Sequence, residues 1–213
     1  HNTPRAALWG GPQTGGARPR GSTLPFLDND ATADPEWLEE LARVYDDPLV
    51  LGAGGLIEPA WEQSPPRWFP PEFTWVVGCT YAGMARRTAR IRNPIGANMS
   101  VRADVLRRAG PFDPRLGRAP GTKALSGTAE ETEFSIRASR EHPGHYWIYE
   151  PRARVLHGVP PQRATWRYFV RRCVVEGTAK ALLSSITGSE DGLRSERTYA
   201  RSILPRALLR ELS

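Results

Sequence analysis

Thr23-Leu24-Pro25-Phe26-Leu27-Asp28-Asn29-Asp30 is the stretch on which the fold turns. A mostly apolar run stops at two carboxylates one residue apart, the pattern of a buried strand ending in an acidic turn. Acids at the carboxyl end of such a strand lie where open α/β sheets bind ligands. Downstream, Asp34-Pro35-Glu36 predicts a helix start, with Asp34 as N-cap and Pro35 at the first helical position. Trp37, Leu38, Leu41, Ala42, Val44 and Tyr45 then supply an apolar stripe at helical spacing. Residues 49–53 read as a second buried strand, and Gly54-Gly55 as a turn before Leu56-Ile57. Strand, acidic loop, helix, strand is the order of an α/β domain.

Working outward, residues 1–22 are a Gly/Pro/Arg stretch expected to be loop-like or disordered. Pro59, Pro65, Pro66, Pro70 and Pro71 predict an extended loop over 59–71, followed by a strand at 73–78. A short helix is expected over 101–109, closed by Gly110-Pro111, then a loop over 117–127. Thr128 is expected to cap a helix that runs to about Glu141. Strands at 146–149 and 153–156 flank Pro151, and two helices follow, 165–187 and 196–212. The first of these is expected to turn Trp166, Phe169, Val170, Cys173, Val174 and Ala181 onto the core. The chain thus divides into a start at 1–22, a core at 23–160 and a helical extension at 161–213.

Composition excludes several classes. Hydrophobic residues at 39% and charged residues at 24% are globular usage, not that of a disordered tail. No apolar run is long enough for a membrane-spanning helix, and no secretory leader is expected from the opening residues. Cys79 and Cys173 are too few for a disulfide framework or a zinc cage, so a cytoplasmic setting is expected. The charge is +6, but Lys123 and Lys180 are the only lysines and the arginines are spread along the whole chain. Nucleic acid is therefore not the expected partner.

Four groups of residues carry chemistry. Asp28 and Asp30 can share a hard divalent cation that bridges phosphates and neutralises a leaving diphosphate; the plain alternative is a solvated turn. Glu130 and Glu131 at a helix start can supply a general base, while Thr128-x-x-Glu131 equally fits a capping box. His157 gains meaning only if the sheet brings it beside Asp28 and Asp30, completing an oxygen-plus-imidazole site suited to Mn²⁺ or a related ion. Arg171-Arg172, near Glu176 and Lys180, can place one guanidinium on a phosphate, since adjacent helical residues face different ways.

In order, these segments resemble glycosyltransferases of the family-2 type with the GT-A fold, in a bacterial subgroup. Phe26-Leu27-Asp28-Asn29-Asp30 with Trp37-Leu38 is similar to their "FLDDD…WL" segment, and Gly96-Ala97-Asn98-Met99-Ser100 to "GANMS". Gly110-Pro111-Phe112-Asp113 and Leu116-Gly117-Arg118 resemble "GGFD…LGR", and Glu130-Glu131-Thr132-Glu133 their catalytic acidic segment. Val155-Leu156-His157 and Tyr168-Phe169…Arg172-Cys173…Glu176-Gly177 complete the series, from about Thr23 to Lys180.

The resemblance implies a mixed sheet with flanking helices and transfer from a nucleotide-sugar to a saccharide or lipid-linked acceptor, with inversion. Asp28 and Asp30 would hold Mn²⁺ or Mg²⁺ on the donor diphosphate with His157 as a third ligand. Arg171 or Arg172 would assist. Glu131 would be the base, Glu130 its support and Glu133 a fold residue, while Asn98 and Arg118 would lie near donor sugar or acceptor. The helical extension would act as a lid or touch the inner face of a membrane. The strand–helix units that bind the base and ribose in such enzymes have no counterpart before Asp28, so a truncated form is expected. A non-catalytic remnant that binds metal, sugar or a protein partner is the alternative.

Overall fold

The computed structural model describes residues 22–116, 129–188 and 193–211. The expectations for residues 1–21, for the 117–127 loop with Arg118, and for the Thr128 side chain lie outside these described residues.

Six strands form one mixed sheet: β1 Thr23–Leu27, β2 Ala31–Ala33, β3 Val50–Trp61, β4 Ala89–Ile91, β5 Asn98–Arg102 and β6 Tyr146–Val159. The order is β1-β5-β3-β6-β2, with β4 also on β6. Among the described strands, only β3 and β6 run parallel. The outer edge of β6 is shared: β4 pairs with its first half, Ile91 against Trp147. β2 pairs with its second half, Ala31 against His157.

Helices cover both faces. On one, α1 (Trp37–Arg43) and the 3₁₀ turn Pro71–Val77 pack Trp37, Leu41 and Val77 onto Ala53, Ile57 and Val155. On the other, α2 (Ala103–Ala109) and α3 (Glu130–Glu141) pack Val105 and Phe134 onto Leu51, Met99, Val101 and Trp147. The buried Trp147 indole N–H donates to the Ser135 carbonyl at 3.2 Å and the Ser139 hydroxyl at 3.1 Å, so the ring enters the core without an orphaned donor.

Several expectations need correction. Gly54-Gly55 is not a turn; β3 runs straight through it and Pro59 to Trp61. A Cβ on Gly55 would stand 1.7 Å from the Ala153 carbonyl oxygen, so the glycine answers close strand packing rather than chain reversal. The strands either side of Pro151 are one strand, because the register jumps from Gly55–Glu150 to Ile57–Val155 and Pro151 falls in the bulge, where no ladder N–H is required. Residues 73–78 are not a strand; they belong mostly to the 3₁₀ turn, which Gly78 ends at φ +83°. The 101–109 helix begins only at Ala103, since Val101 and Arg102 belong to β5.

After β6, α4 (Trp166–Thr187) starts at Thr165, whose hydroxyl accepts from the Tyr168 N–H at 3.2 Å. Its expected burial is largely reversed. Phe169, Val175, Ala179 and Leu183 are buried, whereas Trp166 (62% exposed), Val170, Val174 (56%) and Leu182 face outward. The final segment is helical over Arg194–Thr198 and Leu204–Glu211, with a π-helical turn at Tyr199–Ile203 between them. Among the described residues no helix is long and apolar enough to cross a membrane.

Candidate functional site

The β2–β6 pairing builds the site. The chain turns at Asp28–Asp30, where the Ala31 N–H donates to the Asp28 carbonyl at 3.0 Å. The Gly158 N–H donates to the Asp30 carbonyl at 2.7 Å, pinning the acidic turn beside His157. His157 Nε2 lies 3.2 Å from Asp30 Oδ1 and 3.7 Å from Asp28 Oδ2. One ligand atom from each residue fits within 4.8 Å of the others.

Two carboxylates and an imidazole at that separation fit a divalent cation such as Mn²⁺, and the group can hold one. Gly78 supports the ring from the other side: a Cβ there would stand 3.2 Å from His157 Cε1. One protein cation already touches the acids, with Arg163 Nη2 at 3.2 Å from Asp30 Oδ2. Nothing in the sequence singled out Arg163; it follows Pro160-Pro161 just past the end of β6, and only the folded edge reveals its place.

The triad opens into a cleft of about 1190 Å³. Its walls include Glu130, Glu131, Arg172, Glu176, Lys180, Arg92 and Glu196. The helix N-cap falls on Ala129, with no side-chain cap bond, so Glu130 and Glu131 occupy the first two helical positions. Burial, reinforced by the Glu130 charge and opposed by Lys180, pushes the Glu131 carboxyl above the usual carboxylate range. A carboxyl raised in this way suits proton transfer near neutral pH. Glu133 instead forms a two-bond pair with Arg137, at 2.8 and 2.9 Å, and serves the fold.

Two expected site residues are not brought to the cleft. Asn98 is fully buried: its amide N–H₂ donates to the Ala153 carbonyl at 2.8 Å and the Leu56 carbonyl at 3.2 Å, and its oxygen accepts from the Trp37 indole at 2.8 Å. It clamps β5, β3, the β6 bulge and α1 together. Arg171 is exposed on the outer side of α4, while Arg172, one residue on, faces the cleft with its Nε 3.4 Å from the Val76 carbonyl.

Sequence comparison gives one curated relative, a glucosyl-dolichyl phosphate glucuronosyltransferase of Haloferax volcanii, 34% identical over 164 residues. The match covers 76% of this chain and 51% of the relative, so the chain spans about half the length of the protein it matches. No protein-family model matches the chain. Among solved structures, the crystal structure of GalNAc-T7 with UDP, GalNAc and Mn²⁺ aligns at a TM-score of 0.42 and 17% identity, over 72% of this chain and 31% of that one.

Proposed function

We propose that the chain is the metal-binding and acceptor-side part of a nucleotide-sugar-dependent glycosyltransferase of the family-2, GT-A type. It would move a sugar to a hydroxyl of a saccharide or lipid-linked acceptor, with inversion. The observation that carries this reading is the convergence of Asp28, Asp30 and His157 at one end of a cleft that also holds Glu131. Its similarity to a relative named for a glucosyl-dolichyl phosphate supports both the reaction class and a lipid-linked acceptor.

Asp28, Asp30 and His157 would hold a divalent cation, which when bound would supply positive charge to the departing diphosphate. Glu131 takes the proton of the acceptor hydroxyl as that oxygen bonds to the anomeric carbon and the bond from this carbon to the diphosphate breaks. Glu130 keeps the Glu131 carboxyl basic through its neighbouring charge. Arg172 offers a guanidinium to phosphate oxygens from the α4 wall. The outward stripe of α4, Trp166, Val170, Val174 and Leu182 with Arg167 and Arg171 beside it, rests on an anionic membrane surface. That brings the cleft to a lipid-linked acceptor.

Mn²⁺ titration by calorimetry, followed by donor-dependent release of nucleoside diphosphate from the complete protein, tests the reading. Absence of diphosphate release with Mn²⁺ bound returns the chain to a non-catalytic metal-binding role. Flotation with phosphatidylglycerol vesicles tests the surface: Trp166→Ser with Val174→Ser should abolish co-flotation, and unchanged flotation removes α4 as the contact.

A further inference from the structure

The far wall of the cleft holds a second charged group that the metal chemistry does not use. Arg92, just beyond β4, directs Nη1 and Nη2 at the two carboxylate oxygens of Glu196, at 2.9 and 3.0 Å. Lys180 Nζ stands 3.0 Å from the same carboxylate. Both cations are mostly buried, with side chains 16% and 13% exposed.

Each cation also has a partner besides Glu196. Arg92 Nε donates to Asn93 Oδ1 at 2.8 Å, and Asn93 is itself tied to the Pro94 carbonyl at 2.9 Å, so the fork is aimed by its own neighbour. Lys180 is held by Glu176, one helical turn earlier, at 3.4 Å. A fork and an ammonium fixed around a compact two-oxygen anion are what a phosphoryl group requires. Glu196 arrives from a segment anchored elsewhere through Tyr199, whose hydroxyl donates to the Glu72 carbonyl at 2.9 Å, and through Ile203 against Gly83. Lys180 lines the same cleft as Glu131, the proposed base.

We infer that Arg92 and Lys180 form a phosphate-binding site on the acceptor side of the cleft, and that the Glu196 carboxylate is its internal stand-in, displaced when a phosphate ester enters. The inference rests on the transferase reading for its choice of ligand, an acceptor carrying a phosphoryl group next to the sugar that receives the new bond. The site itself stands on the cation geometry alone. Displacement exchanges the two oxygens of a carboxylate for the free oxygens of a phosphate ester, so each cation trades one oxyanion partner for another.

The test is binding of inorganic phosphate to the metal-free chain, followed by calorimetry, with no donor and no turnover. Glu196→Gln should bind phosphate about tenfold more tightly than the unaltered chain, and adding Arg92→Gln should erase the gain. Equal binding by Glu196→Gln and the unaltered chain, or a gain that survives Arg92→Gln, overturns the site. Arg92→Gln alone gives an independent measurement if Glu196→Gln does not fold: phosphate affinity should fall about fivefold, and an unchanged value refutes the proposal. UDP with Mn²⁺ should leave phosphate bound; displacement by UDP would reassign the site to the donor diphosphate and overturn the acceptor assignment. Phosphate bound in this way by a complete protein that transfers no sugar would remove the transferase reading and keep the site.

Discussion

The acid end and the basic end of the cleft hang from the same edge of β6 and are built in opposite ways. At the acid end, β2 brings Asp28 and Asp30 to His157 with the two carboxylates about a third exposed and Arg163 as their protein counter-charge. At the basic end, β4 delivers Arg92 to a mostly buried pocket where Glu196 already satisfies it. An open pair of carboxylates favours capture of an external cation, whereas a satisfied cation pair can bind an anion only by exchange. The chain therefore presents one end ready to accept charge and another that must first give it up.

The sharpest way to break this contrast is Asp30→Ala. Calorimetric Mn²⁺ binding should vanish, and transfer by the complete protein should fall about 10³-fold, with the circular dichroism spectrum unchanged. Retained Mn²⁺ binding would mean that the acid end is only a turn.

Glu131→Gln comes next. Turnover should drop about 10²-fold with donor affinity little altered, while Glu130→Gln should leave most of the activity. The pH profile sharpens the pair. A general base works deprotonated, and burial with the Glu130 charge raises the Glu131 carboxyl, so with Glu131 as the proposed base kcat should climb with pH through that raised value. Glu130→Gln removes the repulsion and should move the climb to lower pH. A dead Glu130→Gln with an active Glu131→Gln would exchange their roles.

At the basic end the readout is stability. Burial opposes ionisation of Glu196, but the Arg92 hydrogen bonds and the Lys180 charge outweigh it and hold the carboxyl down at about 2. A folded value below the unfolded one means that the stabilisation is present above the ordinary carboxylate range and is lost as pH falls toward about 2. Urea unfolding should show Glu196→Gln less stable by about 1–3 kcal/mol at neutral pH, the gap closing in acid. A gap constant with pH would exclude the ion pair as its source.

Arg163→Gln should have the smallest effect. It relieves one Asp30 oxygen of its guanidinium and should tighten Mn²⁺ binding about two- to fivefold by calorimetry. Weaker binding would make Arg163 an organiser of the acidic turn instead of a competitor for it.

The contrast also marks what the sequence could express. The acidic turn was legible because a strand stop and two carboxylates are local signals, and α4 was legible as a helix over nearly its full length, 165–187 expected against Trp166–Thr187. The orientation of α4 was not. Apolar residues occupy its inner face at Phe169, Val175 and Leu183 and its outer face at Trp166, Val170 and Val174, so periodicity gave no preferred side. Gly55 and Pro151 were misread for a related reason. Each is a turn signal by composition, and each serves strand contact or a bulge that only the partner strand reveals. Asn98 was placed near substrate by resemblance, yet two of its bonds lie within the sheet and the third goes to Trp37 of α1. The Arg92–Glu196 pair joins residues far apart in sequence and left no local trace at all.

The pairing of Ala31 with His157 has a consequence for how the molecule comes together. β2 and the end of β6 are separated by more than half of the chain, and β6 must first find its parallel partner β3. Parallel and sequence-distant pairings form slowly, because loop closure precedes any reward from contact. The three candidate ligands are therefore strangers until the last edge strand docks, and a metal ion added to a refolding chain would find its site only when the sheet is complete. Ion capture would then report the finish of folding, and it would stabilise the finished state in proportion to the logarithm of free metal over its dissociation constant.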